Sequence, residues 1–209
     1  MRICAAVGAL LGWFALVLQL YVMLLQSPAG ASAKIGTVIT YFSFFTILTN
    51  ILVAVIFTAL AFSPGTAWAQ WFCRPAVQAG AVAYIAIVGM VYSLLLRQLW
   101  NPQGLQWVVD VILHDVIPVG YALYWLLFGP RDPLRWKDAL AWLAYPAAYL
   151  VYVLARGAVS GLYPYPFMNV KVLGYGIVLA HAGVLFLVFL GMGLLVVAVG
   201  RWRRRPLST

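Results

Sequence analysis

The chain has 209 residues, of which 66% are hydrophobic and 8% charged, with a mean hydropathy of +1.00 and a formal net charge of +9. A soluble domain carries about 25% charged residues to solvate its surface, so this composition excludes an ordinary water-soluble fold. The apolar stretches are long and nearly unbroken, without strand alternation, which selects membrane-spanning helices over a β-barrel.

Six apolar segments follow one another, at approximately 4–25, 38–62, 77–97, 107–128, 138–155 and 175–199. Each is near the ~20 residues that cross a hydrocarbon core. The sequence therefore reads as an all-α integral membrane protein, a single transmembrane domain over 1–209 built as a six-helix bundle. The first segment exceeds the ~7–15-residue apolar core of a signal peptide and follows a lone Arg2. It is expected to be a retained helix, although Ala31-Ser32-Ala33 has the small-residue character of a cleavage site. Turn formers punctuate the chain at Ser27-Pro28-Ala29-Gly30, Ser63-Pro64-Gly65, Asn101-Pro102-Gln103-Gly104 and Gly129-Pro130-Arg131-Asp132-Pro133. The longest connection, about 156–174, holds Tyr163-Pro164-Tyr165-Pro166-Phe167.

An even number of crossings puts both termini on one side. That side would carry nine cations: Arg2, Arg74, Arg131, Arg135, Lys137, Arg201, Arg203, Arg204 and Arg205. The opposite side would carry four: Lys34, Arg97, Arg156 and Lys171. The positive-inside rule then predicts that both termini are cytoplasmic. The basic C-terminal run suits anionic lipid, and no nucleic-acid partner is expected, because the cations lie between apolar runs and form no basic face. Cys4 and Cys73 have no CxxC partner, so neither a disulfide framework nor a zinc site is expected. No metal or cofactor is predicted.

Polar side chains within spans are costly in hydrocarbon and usually face protein. In the second segment Ser43, Thr46, Thr49 and Asn50 recur at spacings of three and four and share a face. Interhelical hydrogen bonding is one explanation of such a stripe; a reaction site is the other. In the fourth segment Asp110 and His114 stand one helical turn apart, followed by Asp115 and by Pro118, which removes a helix hydrogen bond. Counted from the same face of the membrane, Thr46 is about eight residues in, His114 about seven and His181 about six. Arg97, Arg156 and Tyr152 fall near the outer ends of their segments. Together these residues predict one polar layer in the outer half of the bilayer. His181 among small residues, and the Tyr145, Tyr149 and Tyr152 stripe, also suit simple packing.

Such a layer holds the components of nucleophilic catalysis. A Thr46 hydroxyl needs a base, His114 can serve as one, and Asp110 can fix its tautomer, with Asp115 as an alternative orienter. Asn50, Ser43 or Arg97 would donate to an oxyanion. There is no GxSxG elbow and no HExxH motif.

Phe44-Phe45-Thr46, His114-Asp115-Val116-Ile117-Pro118 and the aromatic-proline run at 163–167 resemble the androgen-induced gene and androgen-dependent TFPI-regulating protein family. The resemblance implies a bacterial relative of these multi-pass hydrolases of fatty acid esters of hydroxy fatty acids. It implies that Thr46 and His114 are the catalytic pair, and that a membrane lipid or fatty-acyl ester is the substrate. An acidic residue after the His, here Asp115, departs from the family pattern. Two other functions suit the same residues: a proton-coupled transporter or channel, and a non-catalytic scaffold or lipid-binding protein.

Overall fold

The computed structural model describes residues 1–62 and 65–203. Ser63 and Pro64 of the second predicted turn, and Arg204 and Arg205 of the basic terminus, lie outside the described residues. The regular elements among the described residues are all helices, with no strand. In order they are α1 (Arg2–Gln26), α2 (Ala31–Tyr41), α3 (Phe45–Phe62), α4 (Ala67–Phe72), α5 (Pro75–Val91), α6 (Leu105–Val111), α7 (Ile117–Phe128), α8 (Trp136–Ala141), α9 (Ala144–Ser160) and α10 (Val170–Trp202). A π turn at Tyr92–Leu96 and a 3₁₀ turn at Arg97–Leu99 extend α5, and a second π turn at Ile112–Val116 joins α6 to α7.

Six helices are long and apolar enough to cross a membrane: Arg2–Gln26, Phe45–Phe62, Pro75–Leu99, Leu105–Phe128, Trp136–Ser160 and Val170–Trp202. This is the architecture of an integral membrane protein. The chain forms two compact units, one over Met1–Asp132 and one from Pro133 onward.

In the first unit α1 packs along α3, α3 along α5 and α5 along α7. The side chains of α1 show why lipid is the solvent. Ile3, Val7, Leu10, Phe14, Val17 and Tyr21 form an exposed stripe at spacings of three and four, whereas Ala5, Ala9, Gly12 and Ala15 are buried. Large apolar groups point outward and small ones inward, because helices in lipid gain by close backbone approach. A Cβ on Gly8 would lie 2.6 Å from the buried Phe57 ring, and one on Gly12 would lie 3.2 Å from the Ala54 Cβ. Phe57 in turn meets Tyr121 and Tyr124 edge-on.

Two features of this unit differ from the sequence expectation. The segment expected at 38–62 is two helices, because the chain turns at Phe42–Phe44. There Ser43 and Phe44 donate to the carbonyls three residues back, and the Ser43 hydroxyl bonds back to Ile39 O at 2.6 Å. A hydroxyl that takes a helix carbonyl in this way competes with the helix ladder. The crossing helix thus starts at Phe45, and Thr46 sits in its first turn rather than about eight residues in. The connection after α1 also holds the 11-residue α2, entered through Gly30 at φ 109 and anchored by the Tyr41 hydroxyl on Leu16 O at 2.8 Å.

In the second unit α8, α9 and α10 pack together. Pro146 has no N–H to give Trp142 O, and the α8–α9 break falls at Trp142–Leu143. Gly193 lets α10 approach α8: its Cβ would meet that of Ala139 at 3.2 Å. Gly174, at φ 75 and ψ 160, interrupts the first turns of α10. The cations Arg201 and Arg156 reach backbone carbonyls within this unit, at Leu134 and Leu162.

Candidate functional site

The two π turns carry the residues that matter most. A π turn shifts each N–H to the carbonyl five residues back, and such turns collect at functional sites. Here Arg97 N–H meets Tyr92 O, and Ile117 N–H meets Ile112 O. The next residue, Pro118, has no N–H, so it cannot pair with Leu113 O in the π register or with His114 O in the α register. Asn50 supplies a donor from outside the helix: its Nδ2 lies 3.3 Å from Leu113 O and 2.9 Å from Thr46 O. One buried amide therefore joins the first turn of α3 to the residue before His114. Gly89 completes the junction, since a Cβ there would come within 3.0 Å of His114 O and 3.2 Å of Pro118 Cβ.

His114 is held on three sides. Its Nδ1 lies 3.0 Å from Asp110 O and 3.3 Å from Asp110 Oδ1. A carbonyl only accepts, so Nδ1 carries a proton, and a ring with that single proton keeps Nε2 as its acceptor. Tyr92 stacks on the imidazole, with ring centroids 3.8 Å apart and planes 17° from parallel. The Tyr92 hydroxyl donates to Asp110 Oδ2 and accepts from Trp100 Nε1 at 3.3 Å. Asp110 is 5% exposed, and its Oδ1 makes no hydrogen bond among the described residues, its approach to Nδ1 being a charge contact. The expected Asp110–His114 partnership is therefore present, and it belongs to a larger set that includes Tyr92 and Trp100.

The other expected site residues take different positions. Asp115 turns away from His114 and pairs with Arg97, Nη2 to Oδ1 at 2.5 Å, with both side chains more than a third exposed. Arg97 also lies over the Tyr92 ring, 5.2 Å from its centroid. Asn50 directs its amide donor to two carbonyls and the Ser43 hydroxyl faces Ile39 O, so neither aims that donor at an oxyanion here. Thr46 and Thr49 are buried on α3. Tyr152, Arg156 and His181 belong to the second unit. There Tyr152 is exposed near Tyr149, their centroids 6.5 Å apart. His181 Nδ1 lies 3.0 Å from Phe167 O, so it closes the loop carrying Tyr165 and Phe167, whose rings stack at 5.3 Å.

Sequence reasoning missed Tyr92, Trp100 and the Gln19–Gln106 pair. The two glutamines exchange amide hydrogen bonds at 2.9 and 3.4 Å between α1 and α6. Gln106, Asp110 and His114 follow one another at four-residue spacing, a signal that was available. Tyr92 and Trp100 gave none, because a π turn and a loop bring them in across 18 and 10 residues of sequence from Asp110.

Comparison with known proteins finds that no family model, no curated protein and no solved structure matches this chain.

Proposed function

We propose that the chain is an intramembrane lipid-ester hydrolase in which Thr46 is the nucleophile and His114 the general base. The observation that carries this reading is the state of His114. Its Nδ1 proton is engaged by Asp110, its Nε2 is left as an acceptor, and Asn50 ties its segment to the turn that bears Thr46. A half-buried His with one nitrogen fixed and the other basic is what a proton-transfer role needs.

In the reaction the Thr46 Oγ attacks the ester carbonyl carbon as its proton passes to His114 Nε2. The tetrahedral intermediate collapses, the C–O bond to the alcohol breaks, and His114 returns the proton to the leaving oxygen. Water then attacks the acyl-Thr46 ester with His114 again as base. The acid is released and the Thr46 hydroxyl is restored. Asp110 stabilises the imidazolium that forms in each half-reaction. The substrate class, fatty-acyl esters such as those of hydroxy fatty acids, comes from the resemblance to the androgen-induced gene and androgen-dependent TFPI-regulating protein family. The membrane setting favours it too, since lipid esters are dissolved where the spans are.

The finer placement is part of the same proposal. Both termini face the cytoplasm of a bacterial cell, the six spans cross the inner membrane, and the Thr46 and His114 turns lie in its outer half. Arg201, Arg203, Arg204 and Arg205 meet anionic lipid at the cytoplasmic surface. The test is turnover of a long-chain ester by purified protein in nanodiscs. Thr46→Ala and His114→Ala should each lower kcat by at least about 100-fold while the protein stays folded. Undiminished turnover in both variants overturns the mechanism. Proton-coupled flux abolished by Asp110→Asn, without ester turnover, would instead make the chain a transporter.

A further inference from the structure

Tyr92 lies outside the residues that carry the proposed reaction, yet it contacts two of them. Its ring covers the imidazole face of His114, and its hydroxyl reaches the carboxylate of Asp110. The direction of these hydrogen bonds follows from the partners. An indole N–H only donates, so Trp100 Nε1 must give its proton to the Tyr92 oxygen. The single phenolic proton is then free to point at Asp110 Oδ2. With Oδ2 engaged, Oδ1 lies 3.3 Å from His114 Nδ1 in a charge contact and accepts no hydrogen bond among the described residues, while the Nδ1 proton goes to Asp110 O at 3.0 Å. A buried carboxylate is costly unless it is hydrogen-bonded, and the Tyr92 hydroxyl is the donor that meets this one, so it also keeps Asp110 in one rotamer.

We propose that Tyr92 is a positioning residue: by ring stacking and by fixing the Asp110 carboxylate beside Nδ1, it reinforces the Nδ1-protonated tautomer that the Asp110 carbonyl engages, leaving Nε2 as the proton acceptor. The chain of donors runs Trp100 to Tyr92 to Asp110, and the carboxylate faces the Nδ1 proton of His114. It joins the loop after α5 to both π turns, so one network fixes the imidazole plane and its protonated nitrogen together. Tyr92 touches no reacting atom. Its effect on turnover rests on the hydrolase reading of the site; its effect on the imidazole does not.

The experiment uses full-length protein, ¹⁵N-labelled at histidine, in nanodiscs at a pH where the rings are neutral. His181→Gln assigns the remaining ring signals to His114. The native spectrum should show only the Nδ1-protonated form. Tyr92→Phe, which keeps the ring and removes the hydroxyl, leaves the Asp110 carbonyl in place and should admit a measurable share of the Nε2-protonated form beside the Nδ1 form, as should Asp110→Asn. An unchanged Nδ1-protonated spectrum in Tyr92→Phe overturns the proposal, as does a native ring protonated on Nε2. Should Tyr92→Phe fail to fold, Asp110→Asn decides by the same criterion. In the kinetic arm, Tyr92→Phe should lower kcat by about tenfold at unchanged KM, because the base is disturbed and substrate contacts are not. Tautomer mixing without any ester turnover in the native protein would leave the positioning role standing and sink the hydrolase. A normal kcat in Tyr92→Phe with the native tautomer would do the reverse.

Discussion

At the residue scale, Asn50 shows how a backbone defect becomes a specification. Pro118 withholds an N–H from the His114 turn, and the buried Asn50 amide supplies a donor to Leu113 O there. Removing that amide exposes the defect. Asn50→Leu is expected to destabilise the protein by about 1–2 kcal/mol, read as a lower midpoint in denaturant titration of the detergent-solubilised chain. Its effect on turnover should exceed what stability alone causes, because Leu113 adjoins His114. A variant with native stability and native turnover would contradict this role. The Asp110–His114 contact was legible from i,i+4 spacing, and the Thr46–Asn50 stripe from helical periodicity. What Asn50 does was not legible, because its acceptor lies 63 residues away and is a carbonyl freed by a distant proline. Asp115 was the harder case: adjacency to His114 suggested an orienter, and the 100° step per residue sends it instead to Arg97.

At the scale of elements, the crossings were legible because lipid imposes one requirement, a long apolar run. Their interruptions were not. Neither π turn leaves a mark on hydropathy, and the break at Phe42–Phe44 lies within an apolar run whose polar residues looked like a helical stripe. The 11-residue α2 escaped for the opposite reason: Gly30, Ser32, Gly36 and Thr37 give it the composition of a connection. Two substitutions probe these elements. Gly8→Leu forces a side chain into the Phe57 ring, which Tyr121 and Tyr124 brace, and should cost about 1–3 kcal/mol of stability in the same denaturant titration. Pro118→Ala restores an N–H to the His114 turn and allows an α register through it. The expected result is a protein of equal or greater stability with lower turnover, since the imidazole would swing from its place beside Tyr92. Full turnover in a stabilised Pro118→Ala protein would show that the π turn has no part in the chemistry.

At the scale of the whole molecule, the six spans and their charges predict orientation. An alkaline phosphatase fused after Thr209 should be inactive in cells, and one inserted at Asn101–Gly104 should be active. The opposite pattern would put the His114 turn on the cytoplasmic side and remove the outer-half layer. The class of the molecule was legible from composition alone, because 8% charged residues cannot clothe a soluble surface. The chemistry was legible only as a list of residue types, since no spacing rule brings α3, α5 and α6 together. The central claim is that Thr46 carries the acyl group. It is tested most directly by mapping the adduct left on the protein by a long-chain fluorophosphonate, using peptide mass analysis. A hydrolase of this kind carries the phosphonyl mass on the peptide containing Thr46, and loses it in Thr46→Ala and His114→Ala. An adduct on another residue, or ester turnover that persists in Thr46→Ala with no adduct at this peptide in the native protein, would contradict it.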